Sequence, residues 1–552
     1  MEKLALKSRD ARELRTVAVD LTPVLPGGEN GGAKVFVLEL LRRLAERAPQ
    51  TQFVLLTQAA AHEELATLDN ANMRRLMILD LSKPPALGTK KLLQVFPHLP
   101  PRLRRIAARL KHSLTRLKRH SSRSLLRDLK VDLLFCPFTA PTYFEPNIPT
   151  VCIIYDLQYK TYPEFFAPED VVHRDRTFTE AVRVSTALAA ISHYSREVAI
   201  KQGKLDPAKV RTIHLHISQH SLRNAPRDES ILSRLQLAAG KYLIYPANFW
   251  KHKNHEMLLT AFAMARRNGL ADDIRLVCTG SPGARQQWLR QAADGLGLQD
   301  HVLFPGYLAN AELLALVTNS AGVIFPSLYE GFGLPVVEAM ATGVPVACSN
   351  VTSLPEVAGN AAILFNPRIP EQIAEAMICL AHDKERTAQL VQMGDARAAG
   401  FSDSRLMAEQ YWELFQYAAG LDNQSNVLVG VYPDGWAGPN PRLQIVPLPQ
   451  VRTLDLEITL PGGIPIHKVT LKVRNNQEKI GEITVSRNQR GSVSIPLPST
   501  GGELSISISP SFIPALAMGG DDHRELAAML TKCEIVNADG GRDVLFSEST
   551  SA

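Results

Sequence analysis

The residues best suited to chemistry stand close together at 326–338, where the sequence is Pro-Ser-Leu-Tyr-Glu-Gly-Phe-Gly-Leu-Pro-Val-Val-Glu. Gly331 and Gly333 allow the backbone to approach a ligand closely, because glycine has no Cβ. Glu330 and Glu338 bracket these glycines. A carboxylate beside a phosphate is repelled, so each glutamate is better suited to accept hydrogen bonds from ligand hydroxyls.

The surrounding pattern predicts the elements that position this stretch. Residues 321–325 are short, apolar and partly β-branched, which predicts a buried strand. Residues 336–341 predict a helix, and Pro335 suits its first turn, where a missing N–H costs nothing. Free N–H groups and the helix dipole at such a loop favour an anion, above all a phosphate. A ligand with phosphates in the middle and hydroxyl-rich ends is a nucleotide sugar. The alternative is an ordinary βα turn with solvated glutamates.

The same residues carry a resemblance to a known family. The spacing Glu-x7-Glu, with Glu-Gly-Phe-Gly-Leu-Pro inside it, resembles the signature of the retaining GT-B glycosyltransferases of family GT4. The closest similarity is to bacterial mannosyltransferase-like members, and it continues through 339–346 and 353–362. The resemblance implies an α/β protein of GT-B architecture, in which two Rossmann-like domains face a cleft.

A second glycine-rich loop lies near the start of the chain. Residues 16–20 predict a buried strand, and an apolar-periodic helix follows the loop. Strand, glycine loop and helix again form a layout that can bind phosphate, although the spacing matches neither a Walker loop nor Gly-x-Gly-x-x-Gly. For Gly27 and Gly28 a flexible surface turn is the alternative. In the resembled family a paired glycine here closes over the donor, and Gly31 and Gly32 are the matching positions.

Polar residues follow two further predicted strands. Residues 151–155 predict a strand, and Asp156 follows at its carboxyl end, where α/β proteins bind ligands. The resembled family usually has His-Asp here, whereas this chain has Tyr155 before Asp156, so Asp156 is the catalytic candidate. Its alternative is to cap a turn. Ser195 follows the next predicted strand and is predicted to cap the helix after it.

The second α/β unit begins with a predicted strand at 241–245. In the resembled family an arginine and, five positions later, a lysine bind the donor diphosphate, and the matching residues here are Asn248 and Lys253. Lysine contacts phosphate as a compact charge, whereas asparagine brings no charge. Lys251 or the helix dipole must therefore supply part of the counter-charge. Two later strand ends resemble the family's nucleotide-base pocket, which makes Gly280 a donor-binding candidate.

Residues 101–130 are rich in arginine and lysine and carry leucine and isoleucine at three- and four-residue intervals. This pattern predicts a basic amphipathic helix, which either lies on an anionic membrane surface or docks on the protein with a solvated basic face. Nucleic acid is disfavoured as a partner, because no interleaved aromatic residues or nucleic-acid motif accompany the charge.

The order of predicted elements divides the chain into three domains. A Rossmann-like acceptor domain is predicted at 1–218 and a Rossmann-like nucleotide-sugar domain at 219–402, with a helix at 403–420 that crosses back onto the first. Residues 424–552 contain short strands of alternating polarity separated by glycine and proline, which predict an antiparallel β-sandwich. Such modules often bind carbohydrate or mediate contacts, which is an analogy of fold alone.

Composition sets broader limits. An apolar content of 45% and a charged content of 21% in 552 residues indicate a globular protein with a large core. No run of 18 or more apolar residues predicts a transmembrane helix, and the first residues lack the apolar segment of a signal peptide. The six cysteines are scattered, as expected for buried small side chains in a reducing compartment. We therefore expect a cytoplasmic protein, peripheral on the inner face of the cytoplasmic membrane if 101–130 binds lipid.

The resemblance implies retaining transfer of a hexose, with mannose favoured, from a nucleoside-diphosphate sugar, with GDP-mannose favoured. The expected acceptor is a glycan or lipid-linked glycan in bacterial surface polysaccharide synthesis. Glu330 would hold sugar hydroxyls and Glu338 the ribose, while Lys253 would stabilise the leaving diphosphate. No Asp-x-Asp motif ends a strand, so we expect neither a metal ion nor another cofactor. The candidate catalytic residues are Asp156, Lys253 and Glu330, and the candidate donor-binding residues are Gly31, Gly32, Asn248, Lys253, Gly280, Glu330, Gly331, Phe332, Gly333, Leu334 and Glu338.

Three other classes fit part of the sequence. A GT-B nucleotide-sugar epimerase or hydrolase would need an acid and base pair beside the sugar. A non-catalytic carbohydrate-binding protein would explain the β-domain but not the intact Glu-x7-Glu loop. A phosphorylase-like enzyme would need a site for free phosphate or a cofactor. Glycosyl transfer accounts for more of the sequence than any of these.

Overall fold

The computed structural model describes residues 13–27, 31–79, 125–421, 426–432, 434–448, 450–476, 478–518 and 524–547. These residues form two units. The first unit contains Pro149–Gly420 and the described residues before Tyr143, and the second contains Tyr143–Ile148 and the described residues from Leu421 onward. Most of the predicted basic helix, residues 101–124, lies outside the described residues. Within the described ranges, every helix is too short or too polar to span a membrane.

The first half of the first unit is built on a seven-stranded parallel sheet with the order β3-β2-β1-β4-β5-β6-β7. Its strands are apolar and mostly buried on both faces, as expected where helices cover a parallel sheet. The strands are β1 (Thr16–Asp20), β2 (Gln52–Gln58), β3 (Met73–Leu79), β4 (Leu133–Cys136), β5 (Thr150–Ile154), β6 (Ala187–Ala190) and β7 (Val210–Thr212). The helices are α1 (Gly31–Arg47), α2 (Ala59–His62), α3 (Leu125–Asp128), α4 (Gln158–Thr161), α5 (Pro168–Val184) and α6 (His193–Gly203), with 3-10 turns at Glu64–Leu68, Pro163–Phe165 and Pro207–Lys209. The next helix, α7 (Gln219–Asn224), packs on the second half, where Arg223 Nε donates to Ala341 O at 2.8 Å.

The second half of the first unit has a six-stranded parallel sheet with the order β10-β9-β8-β11-β12-β13. The strands are β8 (Tyr242–Pro246), β9 (Arg275–Thr279), β10 (Val302–Gly306), β11 (Gly322–Phe325), β12 (Val346–Ser349) and β13 (Ala362–Phe365). The helices are α8 (Ser230–Arg234), α9 (His255–Arg267), α10 (Ala284–Gly295), α11 (Asn310–Thr318), α12 (Leu334–Ala341), α13 (Leu354–Ala358), α14 (Pro370–His382), α15 (Lys384–Ala399) and α16 (Ser404–Gly420), with a 3-10 turn at Lys251–Lys253. The predicted strands at 16–20 and 321–325 and the predicted helix at 336–341 are confirmed as β1, β11 and α12.

Helix α16 follows the second half in the sequence but packs on the first. Its Tyr411 and Phe415 rings lie with centroids 5.9 Å and 4.9 Å from that of Phe135 in β4. Tyr411 also meets Phe36 of α1 at 6.4 Å. These buried aromatic contacts attach α16, at the end of the first unit, to the first parallel sheet. Their ring–ring interactions add to the stabilisation that comes from removing apolar surface from water.

The second unit is a nine-stranded antiparallel sheet with β18 and β19 at its ends. Its strands are β14 (Val427–Val431), β15 (Trp436–Ile445), β16 (Arg452–Thr459), β17 (Lys468–Asn475), β18 (Glu478–Ser486), β19 (Arg490–Leu497), β20 (Gly502–Ser509), β21 (Ala528–Asn537) and β22 (Arg542–Ser547), and a short helix, α17, spans Pro514–Ala517. A Cβ at Gly481 of β18 would lie 2.3 Å from the Ile495 side chain of β19, and one at Gly491 of β19 would lie 2.7 Å from the Ile483 side chain of β18. The predicted antiparallel β-domain is confirmed, but its strands form a single sheet that nearly closes on itself, where a sandwich of two packed sheets was expected.

A segment from earlier in the chain completes the second unit. Glu145, in Tyr143–Ile148, accepts two hydrogen bonds from the guanidinium of Arg442 in β15, at 2.8 and 2.9 Å. The Glu145 side chain is only 5% exposed, and a bidentate pair of this kind fixes geometry well. Residues 424–552 by themselves therefore lack one partner of a buried ion pair.

All six cysteines are free. Cys136, Cys152, Cys278 and Cys348 are buried in strands, as predicted for small apolar side chains.

Asp20, the last residue of β1, is a buried carboxylic acid. Its Oδ1 accepts hydrogen bonds from Thr22 N at 3.0 Å and Thr22 Oγ1 at 2.6 Å. Oδ2 is buried without a hydrogen-bond partner. Burial raises the pKa of Asp20 to about 6, against the opposing effect of the Thr22 hydrogen bonds.

We predict that Asp20 makes the fold less stable as the pH rises through this range. A pKa raised by folding gives stability that is present below the unfolded pKa, near 4, and is lost as the pH passes about 6. Asp20→Asn keeps an acceptor for Thr22 without the titration. Between pH 4 and 7, stability of the wild type relative to Asp20→Asn should fall by about 2–3 kcal/mol. Thermal unfolding of both proteins across this range measures the difference, and parallel pH profiles would contradict the prediction.

Candidate active site

The strand order reverses at one point in each parallel sheet, between β1 and β4 in the first half and between β8 and β11 in the second. Parallel α/β sheets bind ligands at the carboxyl ends of the strands beside such a reversal. The glycine-rich loop follows β1, the segment with Lys253 follows β8, and the loop 326–333 follows β11. The predicted loops therefore lie where a ligand is expected.

The loop before α12 is fixed by polar contacts within the second half. Asn254 Nδ2 donates to Pro326 O at 3.0 Å. Ser353 Oγ donates to the carbonyl oxygens of Glu330 and Phe332, at 2.9 and 3.0 Å. These bonds use buried backbone carbonyls that would otherwise lack partners. The loop is consequently held at both ends and in its middle.

Gly331 brings the loop against the first half. A Cβ at this position would lie 2.4 Å from Tyr155 O and 3.2 Å from Asp156 Cβ. The hydroxyls of Ser192 and Ser195 donate to Gly331 O at 2.7 and 3.2 Å. A Cβ needs more space than this, so only glycine allows the two halves to approach so closely.

Two helix amino ends meet beside this contact. Helix α1 begins at Gly31 and α12 begins at Leu334, and a Cβ at Gly32 would lie 3.7 Å from Leu334 Cδ1. Neither helix has an acidic residue in its first turn. Gly333, the N-cap of α12, has φ 104°, and a Cβ there would lie 2.6 Å from Leu354 Cδ2. The positive ends of two helix dipoles therefore converge without a carboxylate in either first turn to compensate them.

Lys253 and Glu330 form an ion pair at this place. Lys253 Nζ lies 2.6 Å from Glu330 Oε1, and the two side chains are 12% and 13% exposed. The ammonium also lies 5.3 Å from the ring centroid of Phe325, within cation–π range. Lys253, the predicted phosphate contact, and Glu330, the predicted contact for sugar hydroxyls, thus neutralise each other's charge in this structure. A ligand that replaces their bond must offer an anion to one and hydrogen-bond donors to the other.

Two histidines beside Lys253 are uncharged at neutral pH. Burial, and then the charge of Lys253, lower the pKa of His252 to about 4 and that of His255 to about 3. The positive charge on this side of the site is therefore carried by lysine.

Asp156 lies at the carboxyl end of β5, on the first-half side of Gly331. Its Oδ1 accepts a hydrogen bond from Gln158 N at 3.1 Å, so it does cap a turn. Burial raises the pKa of the half-buried Asp156 carboxyl, and the negative charge of Glu330 adds to the rise, while Arg174 and Lys253 oppose it. A carboxyl with a raised pKa stays protonated to a higher pH than an ordinary aspartate, and in the protonated form it both donates and accepts hydrogen bonds.

Tyr155, which stands where the resembled family has histidine, is occupied within its own half. Its hydroxyl donates to Pro137 O at 2.9 Å, and its ring meets Phe36 edge to face at 6.4 Å. The side chain therefore serves packing of the first half.

Asn248 and Gly280, two further predicted donor-binding residues, lie in neighbouring loops. Exposed Asn248 accepts a hydrogen bond from Ser281 N at 2.9 Å, and a Cβ at Gly280 would lie 2.8 Å from Ala247 O. These contacts join the loops after β8 and β9, at a distance that requires glycine.

Phe332 and Glu338 flank the amino end of α12. The Phe332 ring is buried 5.5 Å from that of Phe401, so only the backbone of this residue is available to a ligand. Glu338 is solvent-exposed, and desolvation raises the pKa of its carboxyl.

Ser192 and Ser195 attach the first half to the loop of the second half at Gly331. The prediction that Ser195 caps α6 is wrong, because the helix begins at His193 and Ser192 is its N-cap, with Oγ accepting from Ser195 N at 3.0 Å. Ser195 Oγ donates to Tyr155 O at 3.0 Å as well as to Gly331. Two serines three residues apart both have the side chain of a cap, and the local bond from Ser195 N identifies Ser192 as the one that caps the helix.

One group of side chains could hold a metal ion. Donor atoms of His193, His214 and Glu356 all lie within 4.8 Å of one another, and no other such group occurs in the described ranges. Two imidazoles and a carboxylate suit several divalent transition metals. The group includes none of the predicted site residues.

Comparisons with known proteins agree with this architecture. Residues 232–397 match the family model of glycosyl transferases group 1. The O-antigen chain mannosyltransferase B of Escherichia coli is 29% identical over 283 residues, covering 50% of this chain and 72% of that protein. The serotype-specific mannosyltransferase WbdA of Escherichia coli is 28% identical over 293 residues, covering 50% of this chain but only 35% of WbdA.

The crystal structure of Anabaena HepE, solved with UDP and glucose, is similar in fold. Its TM-score is 0.53 at 17% identity, and the match covers 73% of this chain and 100% of that one. The two parallel sheets thus have the GT-B fold. The match to glycosyl transferases group 1 falls within the second half of the first unit and, with the mannosyltransferase relatives, supports a glycosyltransferase.

The close approach at Gly331 can be tested by adding one methyl group. Gly331→Ala should lower the thermal unfolding midpoint by roughly 2–10 °C, because the Tyr155 carbonyl or the loop must shift to make room. Gly295→Ala is the matched control, since a Cβ at Gly295 meets nothing within 4 Å. Equal midpoints for Gly331→Ala and the control would show that the halves do not depend on this contact.

Proposed function

We propose that the protein is a retaining hexosyltransferase that moves mannose from a nucleoside-diphosphate sugar to a glycan or lipid-linked glycan. GDP-mannose is the favoured donor, and bacterial surface polysaccharide synthesis is the favoured setting. The observation that carries the proposal is the meeting of two helix amino ends beside the Lys253–Glu330 pair. The mannosyltransferase relatives support mannose as the sugar.

In the proposed complex the donor diphosphate lies at the amino ends of α1 and α12. Backbone N–H groups there, with the side chain of Lys253, would neutralise the charge that develops on the leaving diphosphate. Glu330, released from Lys253, would accept hydrogen bonds from sugar hydroxyls. Glu338 would bind the ribose, and the exposed Asn248 would donate a hydrogen bond without adding charge.

We propose front-face transfer, in which the acceptor oxygen attacks the anomeric carbon from the face that the diphosphate leaves and the configuration is retained. The bond between the anomeric carbon and the diphosphate oxygen breaks, a bond to the acceptor oxygen forms, and the acceptor proton passes to a donor phosphate oxygen. Asp156 would hold the sugar or acceptor by hydrogen bonds from the first half. A Cβ at Gly331 would lie 3.2 Å from Asp156 Cβ, and this proximity supports the proposed position.

The proposed donor can be tested by binding and turnover. We expect GDP-mannose to bind more tightly than UDP-glucose or other nucleotide sugars in calorimetry. Nucleoside diphosphate should be released only when an acceptor glycan is present. Release of diphosphate without acceptor would indicate a hydrolase, and binding without any turnover would indicate a carbohydrate-binding protein.

Lys253→Met should weaken donor binding specifically. Loss of a charge-assisted phosphate contact is expected to raise the donor dissociation constant between about tenfold and about a hundredfold. Lys241→Met is the matched control, because Lys241 is an exposed lysine that pairs with Asp273 at the start of the same β8 segment. Equal affinities of the two variants for GDP-mannose would remove Lys253 from the site.

Catalysis should not need a metal ion. The proposed charge stabilisation comes from Lys253 and backbone N–H groups, so a chelator should leave transfer by the wild type within about twofold of its untreated rate. Loss of activity that magnesium restores would contradict this part of the proposal.

Membrane attachment through 101–130 remains a prediction from the sequence.

A further inference from the structure

Helix α6 of the first half begins at the contact between the two halves. Its N-cap, Ser192, and its third residue, Ser195, both donate to Gly331 O of the second half. Its first turn contains no acidic residue. Ser192 Oγ accepts from Ser195 N, which leaves the N–H groups of His193 and Tyr194 to find acceptors elsewhere.

Glu356, in α13 of the second half, supplies them. Its carboxylate accepts hydrogen bonds from His193 N at 2.8 Å and Tyr194 N at 3.1 Å. It also bonds His214 Nε2 at 2.6 Å. All three partners belong to the first half, so one side chain of the second half makes three polar bonds across the boundary. We call Glu356 with these three partners the Glu356 clamp.

The Glu356 clamp is connected to the loop before α12 through neighbouring residues. Ser353, whose hydroxyl holds the carbonyls of Glu330 and Phe332, precedes α13 directly. The ring of His214 lies 5.9 Å from that of Phe332. The clamp and Gly331 are thus attached to the same two pieces of structure, the amino end of α6 and the loop before α12.

The protonation of Glu356 agrees with a charged clamp. Burial alone raises the pKa of Glu356, but the hydrogen bonds from His214 and from the two backbone N–H groups together lower it below its ordinary value. The carboxylate is thus in its ionised form at neutral pH, in which both oxygens accept hydrogen bonds.

We propose that Glu356 is a positioning residue, which fixes the amino end of α6 against the second half and thereby seats Gly331 beside Asp156. Each of its carboxylate oxygens accepts a hydrogen bond from a backbone N–H at the start of α6. The catalytic consequence rests on the proposed function, whereas the structural consequence does not.

Hydrogen exchange followed by mass spectrometry tests the structural consequence without any activity. In Glu356→Ala, amides in a peptide covering 191–197 should exchange at least about tenfold faster than in the wild type. A peptide covering 328–334 should also exchange faster, because Gly331 loses its fixed seat. Glu375→Ala is the matched control, an exposed glutamate of the same half on α14, and it should change neither peptide.

Kinetics test the catalytic consequence. With GDP-mannose and an acceptor, Glu356→Ala should lower kcat about tenfold while the donor dissociation constant changes less than about threefold. Glu356→Gln keeps one acceptor oxygen and should fall between Glu356→Ala and the wild type. A variant that merely failed to fold would lose donor binding as well as turnover.

Three outcomes would overturn the proposal. Faster exchange at 191–197 with no change at 328–334 would make Glu356 only a cap of α6. Unchanged exchange at both peptides would remove the clamp altogether. Protection that EDTA abolishes and Zn²⁺ restores in the wild type would assign His193, His214 and Glu356 to a metal site. If the wild type transfers no sugar, the proposed function fails while the exchange result still decides the clamp.

Discussion

The contact of Gly331 with the backbone at Tyr155 is the constraint on which the arrangement of the first unit depends. It leaves no space for a Cβ, and it occurs where a loop of the second half meets the end of β5 in the first. Directional hydrogen bonds between the two halves lie beside it. They are made by the hydroxyls of Ser192 and Ser195 and by the carboxylate of Glu356. Loops that each follow a different strand are thereby held at one place.

The charges at this site determine which kind of ligand it can bind. Two helix amino ends and a lysine concentrate positive charge, while neutral histidines beside the lysine add none. In this structure Glu330 balances Lys253 directly. An ion pair whose side chains are only 12% and 13% exposed is costly to break unless both partners find replacements. A ligand with an anionic centre and a hydroxyl-rich end supplies both replacements, which is why the pair suits a nucleotide sugar better than free phosphate.

Local signals allowed the sequence to predict a large part of the fold. Strands such as β1 and β11 are short apolar runs, so each pattern is complete within a few residues. The glycines of the loop were predicted as sites of close approach, but what approaches Gly331 could not be, because Tyr155 lies far away in sequence. The same holds for Glu145 in the second unit and for Glu356, since their partners are set by tertiary packing. Ser192 and Ser195 show the limit of local rules, because both satisfy the pattern of a cap.

The most direct test of the account is a crystal structure of the protein with a bound nucleoside diphosphate. The account predicts that the diphosphate lies between the amino ends of α1 and α12, with Lys253 Nζ on a phosphate oxygen and no longer bonded to Glu330. A diphosphate bound elsewhere, or one bound with the Lys253–Glu330 pair intact, would contradict it.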